Sequence, residues 1–274
     1  MRLCIVSPHL DDAVLSCGIA MQRAKAQGGE AVVINIFSAG TGSEVRHAND
    51  EAAVALLGGR CVFLDELDAP DRDARYKTER EIFYGDFDAV TPEYIAHVAA
   101  RINHVIAKEK PDQLIFPLGV GTHIDHLVAF EASKQVSGNI AYYEDRPYVL
   151  WPGMLQARMN MLACDAGLSA VTAQEMEASH GDYHFLHGAG KFPRDMPPAR
   201  LTPPESYAMR GICEGQEATP EELEKLYDSL ACYVSQMPFI YPDRAAFLHD
   251  SYAHEKTRTG REAYIERRWS LMPV

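Results

Sequence analysis

Two short clusters combine imidazole and carboxylate groups at spacings that suit metal-assisted hydrolysis. The first is Ser7-Pro8-His9-Leu10-Asp11-Asp12 and the second is His123-Ile124-Asp125-His126. Imidazole nitrogen and carboxylate oxygen are both good zinc ligands, and a catalytic zinc site uses three protein ligands with one position left open. His9, Asp12 and His126 supply such a set. Zinc brings the pKa of its bound water towards about 7 and polarises a carbonyl oxygen. Asp11 is then the spare carboxylate that takes the proton from that water as general base. His123 is the spare imidazole, placed to stabilise an oxyanion or to protonate a leaving amine. Asp125 falls to the role of a partner that orients a ligand histidine.

A lone His-x-x-Asp spacing arises by chance, and an Asp after a strand is often only a helix cap. What ties the clusters together is the order of the elements that carry them. Leu3 to Val6 and Ala31 to Phe37 are apolar runs that read as buried strands. Between them Asp11 or Asp12 can cap a helix that stops near Gly28-Gly29, which makes a βαβ unit. A helix from about Asn49 to Leu57 precedes a third strand, Cys61 to Leu64. Thr91-Pro92 opens a helix with Ile95, Val98, Ala99, Ile102, Val105 and Ile106 at helical spacing. A fourth strand, Leu114 to Leu118, runs into a Gly-rich turn before a helix that starts near His123, and Ile140 to Tyr143 is the fifth strand. In a doubly wound sheet ordered 3-2-1-4-5, strands 1 and 4 are neighbours at the switch point where ligands bind. The two clusters, each just past one of those strands, should face each other.

The expected fold is therefore α/β, a Rossmann-like, mostly parallel sheet with helices on both faces. One domain is expected over residues 1–274, with a core over 1–150 and an elaborated C-terminal half, 151–274, that shapes the pocket. Residues 66–90 lack periodicity and read as a surface excursion, with Asp65, Glu66 and Asp68 as solvated loop. Residues 180–216 are dense in Gly, Pro and His and read as long loops. The capping box Thr219-Pro220-Glu221-Glu222 opens a late helix with Leu223, Leu226, Tyr227, Leu230 and Val234 on one face.

The motifs Pro8-His9-Leu10-Asp11-Asp12 and His123-Ile124-Asp125-His126 resemble those of the PIG-L or LmbE-like zinc deacetylases. That family carries a PHxDD-like element after its first strand and an HxDH element after its fourth, and removes acetyl groups from N-acetylglucosamine units. The resemblance implies zinc on His9, Asp12 and His126, Asp11 as base and His123 as the second catalytic group. Lesser similarities are Arg46 with Asp50-Glu51-Ala52-Ala53, the stretch Tyr142 to Tyr148, and Tyr233-Val234-Ser235-Gln236. Leu10 and Ala13 depart from the family's commonest proline and glutamate, at positions that are not ligands. The resemblance alone names the substrate: an N-acetyl or similar N-acyl amino sugar or its glycoside, a small-molecule conjugate.

Composition narrows the rest. A formal charge of -13 over 274 residues excludes counterion-driven binding to nucleic acid. No apolar run reaches the roughly 20 residues of a membrane span, and no signal-peptide segment opens the chain, so a cytoplasmic protein is expected. Six scattered cysteines form no CxxC pair, and Cys4, Cys17 and Cys61 read as small buried hydrophobes. Arg46 is placed to hold a sugar hydroxyl or carboxylate, or is an exposed helix-start arginine. His180, His184 and His187 read as a solvated loop, a lid, or a second metal site. Two alternatives stay open. A metal-bearing sugar-binding module would need no base, and a non-haem Fe(II) oxygenase also uses two His and one carboxylate. Divalent metals other than zinc accept the same ligands.

Overall fold

Strands whose side chains are apolar on both faces can survive only in the middle of a sheet covered on both sides. β1 meets that condition, since every residue after Arg2 is buried. In the computed structural model, which describes residues 1–187 and 196–274, the chain forms eight strands and eleven α-helices among the described residues. The first half runs β1 (Arg2–Ser7), α1 (Asp12–Ala26), β2 (Glu30–Asn35), α2 (Ser43–Leu56), β3 (Gly59–Phe63), α3 (Ala69–Arg72), α4 (Glu79–Tyr84), α5 (Pro92–Glu109), β4 (Gln113–Pro117), α6 (Ile124–Ser133) and β5 (Ile140–Tyr143). The second half adds α7 (Met154–Met161), β6 (Cys164–Asp165), α8 (Ala173–Ser179), β7 (Met209–Glu217), α9 (Pro220–Leu230), α10 (Met237–Ile240), α11 (Arg244–Thr259) and β8 (Ile265–Pro273).

One sheet takes all eight strands in the order β3-β2-β1-β4-β5-β8-β7-β6. The five strands expected from sequence are parallel and in the expected order, and β8 joins β5 and β7 antiparallel. Alternation along the strands divides the core. Leu3, Ile5, Ala31 and Val33 pack with α1, α2 and α9 on one face, whereas Cys4, Val6, Val32 and Ile34 pack with α5 and α6 on the other. Close approach of α9 to α1 depends on Gly18, where a Cβ would stand 2.5 Å from Leu226 Cδ1. α1 itself breaks at Cys17 (φ -135°, ψ 15°), and Glu266 of β8 accepts the N–H groups of Ile19 and Ala20 at 2.7 and 3.0 Å. That carboxylate caps the restarted helix and ties the last strand to the first helix.

Several expectations need correction. α2 begins at Ser43, ahead of the expected start near Asn49, because Gly42 at φ 78° turns the chain into the helix. Residues 66–90 are no bare excursion: they hold α3, α4 and a 3-10 turn, Phe87–Ala89, and bury Ala69 and Tyr76. α9 stops at Leu230, so Val234 lies beyond it and is 68% exposed. The loop expected to 216 gives way to β7 from Met209, whose glycines and glutamates carry no strand signal and whose partner β8 supplies the pairing. Cys4 and Cys17 are buried as expected, but Cys61 is half-buried and points its thiol at Asp50. No helix among the described residues is long and apolar enough to cross a membrane.

Candidate metal and active site

β1 and β4 are adjacent and parallel, so the segments leaving their carboxyl ends emerge side by side. After β1 the chain turns through His9 into α1. Neither aspartate caps that helix. Asp11 occupies the cap position without a side-chain cap bond, Asp12 Oδ2 turns back to accept His9 N–H at 2.8 Å, and Ser7 Oγ accepts Ala13 N–H at 3.0 Å. Both carboxylates are thereby left for other work. After β4 the turn passes Gly119 (φ 80°), Gly121 (φ 90°) and Thr122 (φ 61°) before His123 caps α6.

The three histidines converge. Ring centroids lie 4.8 Å apart for His9 and His123, 5.3 Å for His123 and His126, and 5.4 Å for His9 and His126. Asp12 Oδ2 sits between two of them, 3.4 Å from His9 Nδ1 and 3.3 Å from His126 Nε2. The far side of each ring is held by a buried carboxylate: His9 Nε2 meets Asp125 Oδ2 at 3.1 Å, and His126 Nδ1 meets Asp145 Oδ1 at 2.7 Å. Asp125 is itself fixed by Arg72 Nη2 at 2.7 Å and Ala69 N–H at 2.8 Å. His126 Nε2 is buried and has no hydrogen-bond partner. His123 Nδ1 accepts Asp125 N–H at 3.1 Å.

Charge at the site follows from burial set against these contacts. Burial alone would push His9 and His126 towards the neutral form. Asp12 outweighs it, together with Asp125 at His9, raised to about 9, and with Asp145 at His126, raised to about 10. Burial works against Asp12 too, but His126 and His9 hold its carboxyl far below the usual range. Asp11 is pushed up by burial and by the charge of Asp12, with Arg46 opposing. His123 is held well below the ordinary histidine value by burial and by His9. The cluster calls for positive charge between Asp12, His9 and His126, which a proton or a metal cation can supply.

A match to the PIG-L family, described as GlcNAc-PI de-N-acetylase, spans residues 4–137. Over 134 of its 274 residues, just under half, the chain is similar to the PIG-L family. Both histidine and aspartate clusters fall inside the matched span. No curated protein sequence matches it. Among solved structures it is similar to the A40926 pseudoaglycone deacetylase Dbv21, at 18% identity and TM-score 0.65, over 99% of this chain and 97% of that one. It is similar to a zinc inhibited form of teicoplanin deacetylase Orf2, at 17% identity and TM-score 0.66, over 100% of this chain and 99% of that one. It is also similar to the N,N'-diacetylchitobiose deacetylase of Pyrococcus horikoshii, at 14% identity and TM-score 0.51, over 99% of this chain and 84% of that one. These likenesses establish the shared fold.

Arg46 on α2 is half-buried, its Nε is buried without a hydrogen-bond partner, and its charge is felt at Asp11 and Asp68. Three neighbours escaped the sequence reading. Asp145 stood inside the family-like stretch Tyr142 to Tyr148, but no role attached to it. Arg72 lies in the aperiodic stretch 66–90. Asp68, read there as solvated, is half-buried, with its carboxyl pushed up by burial while His9 opposes. Glu66 of the same stretch pairs with His97 and Arg101, and Asp65 accepts from Ser38 Oγ. The grouping of His180, His184 and His187 does not hold. His180 is buried against Trp151 and His187, whereas His184 turns to Asp250.

Proposed function

We propose that this chain is a zinc-dependent hydrolase that removes an N-acetyl or similar N-acyl group from an amino sugar or its glycoside, with the metal on His9, Asp12 and His126. The observation that carries the metal is the buried Nε2 of His126. With Nδ1–H given to Asp145, its lone pair faces a carboxylate oxygen at 3.3 Å, an arrangement that repels unless a proton or a metal cation lies between. Ligands bound tetrahedrally at zinc distances of about 2.0–2.1 Å lie about 3.3 Å apart. Both edges from Asp12 Oδ2, 3.3 and 3.4 Å, match that spacing. His9, His123 and His126 also bring ligand atoms within 4.8 Å of one another, but His123 spends Nδ1 on Asp125 N–H and the Asp12 edges are shorter. Asp12 is the better third ligand.

When bound, the metal supplies Lewis-acid polarisation of the acyl carbonyl and lowers the pKa of water. The chain's own groups do the rest. Asp11, free of the cap and more basic than an ordinary carboxylate, takes a proton from the attacking water as its oxygen bonds to the acyl carbon. In the neutral ring of His123, an acceptor at Nδ1 puts the proton on Nε2, which makes this group a donor to the developing oxyanion. That favours oxyanion stabilisation over protonation of the amine by an imidazolium. As the C–N bond breaks, Asp11 returns its proton to nitrogen, leaving a free amine and a carboxylate. The half-buried guanidinium of Arg46 supplies donors for a sugar hydroxyl or carboxylate. The choice of an amino sugar is supported by the family's description and by the deacetylases whose fold is shared.

Amine release from N-acetylglucosamine and a panel of its glycosides, on metal-stripped protein with and without Zn²⁺, tests the reading. Release restored by zinc and lost in Asp11→Asn is expected. Silence across the panel, with metal bound, would overturn the amino-sugar assignment.

A further inference from the structure

The 3-10 turn His184–His187 packs on α11, and where they meet Asp250 gathers two imidazoles. The carboxylate of Asp250 is fully buried and anchored by the turn: Oδ1 accepts His184 N–H and Oδ2 accepts Phe185 N–H, both at 2.9 Å. Nδ1 of His184 stands 2.8 Å from Oδ1, and Nδ1 of His249 stands 3.2 Å from the same oxygen. The two rings meet edge to face with centroids 4.8 Å apart, and the three ligand atoms lie within 4.8 Å of one another.

Hydrogen bonding accounts poorly for this convergence. It would place three donors, one backbone and two ring, on an oxygen with two lone pairs, and would require a proton on Nδ1 of both rings. A cation among the three atoms removes both demands, because each Nδ1 then offers its lone pair. The His249 edge at Oδ1, 3.2 Å, matches the roughly 3.3 Å expected between tetrahedral ligands, and the exposed His184 ring, at 2.8 Å, has only to draw back by about 0.5 Å to reach it. The carboxylate is rigid, whereas the side chains of His184 and His249 are 44% and 52% exposed, so a metal can enter without unfolding the chain and keep positions for water.

We propose that His184, His249 and Asp250 form a second divalent-metal site, sharing no residue with the His9 cluster. Two imidazoles and one carboxylate favour zinc, cobalt or nickel over magnesium or calcium. The bound ion would staple the turn to α11, so it should stabilise the folded chain by an amount that grows with the logarithm of free metal above its Kd.

Equilibrium dialysis of metal-stripped protein against Zn²⁺, with thermal unfolding alongside, tests this. Wild type should take up two equivalents, His249→Ala one, His9→Ala one, and the double variant none. Affinity at the second site should fall about a hundredfold or more in His249→Ala, beyond what loss of a supporting group costs. Zinc should raise the Tm of His9→Ala and leave the double variant unmoved. His249→Ala keeps both backbone bonds to Asp250, and His184→Gln reaches the same end from the other ring. Equal uptake by wild type and His249→Ala, or by His9→Ala and the double variant, would overturn the proposal. Neither outcome bears on the deacylase reading, which rests on other residues.

Discussion

Asp145 holds His126 Nδ1 at 2.7 Å through one oxygen and accepts Gly119 N–H and Val120 N–H through the other, each at 2.8 Å. One buried carboxylate thus sets the tautomer of His126 and the shape of the turn after β4. In Asp145→Asn an NH₂ group must face one of those donors. The His126 ring or the turn then gives way. Metal affinity at the His9 cluster should fall about ten- to hundredfold, measured by chelator competition in the His249→Ala background, with far-UV circular dichroism unchanged.

Asp11 neither caps α1 nor, in the proposed reading, touches the metal, so its loss separates catalysis from assembly. Asp11→Asn should keep wild-type metal content and lose about 10²- to 10⁴-fold in kcat. Metal analysis and turnover on one preparation check both halves. Loss of metal along with activity would make Asp11 a support of the cradle and leave the base unassigned.

How far the sequence carried the fold depended on where apolar periodicity was strong. β1, β2, β4 and β5 and the helices beginning at Asp12, Pro92, Ile124 and Pro220 have apolar runs or caps that declare them. The clusters at His9 and His123 were legible because a parallel sheet forces strands 1 and 4 together. The roles of Asp145, inside the family-like stretch Tyr142 to Tyr148, and of Arg72 were not legible, since they act through long-range bonds, to His126, Gly119 and Val120 and to Asp125, that no local pattern encodes. β7 and β8 were missed for a related reason: they stabilise each other over nine paired positions, and neither is apolar enough alone. His249 and Asp250 sit on α11, far in sequence from His184, and only the fold unites them.

Gly121 takes φ 90°, and a Cβ there would stand 2.6 Å from Tyr148 Cγ and 2.8 Å from Tyr148 Cβ. The ring cannot swing away cheaply, because the clash reaches its own Cβ. Gly121→Ala should therefore cost about 2 kcal/mol or more and depress activity through His123, two residues on. Gly181, with open space around it, is the control, and Gly181→Ala should stay within about 0.5 kcal/mol by denaturant unfolding.

Glu266 offers a test of stability against pH, away from the His9 cluster. Burial pushes its carboxyl up from 4.5 to about 7, although Ile19 and Ala20 N–H and the charges of Arg146 and Arg268 oppose it. The folded chain therefore binds this proton more tightly than the unfolded chain does. The stability it contributes is fully present below about pH 4.5 and is lost as pH rises through about 7. Glu266→Gln has no charge to bury and keeps one acceptor for the restarted α1; its NH₂ group faces the other backbone donor, a loss that does not change with pH and leaves the comparison of slopes intact. Relative to that variant, wild type should lose on the order of 3 kcal/mol between pH 4.5 and 8. Urea unfolding of both proteins across that range checks it. Parallel curves would mean that the carboxylate stays ionised in the fold, held by the two backbone donors and the arginines.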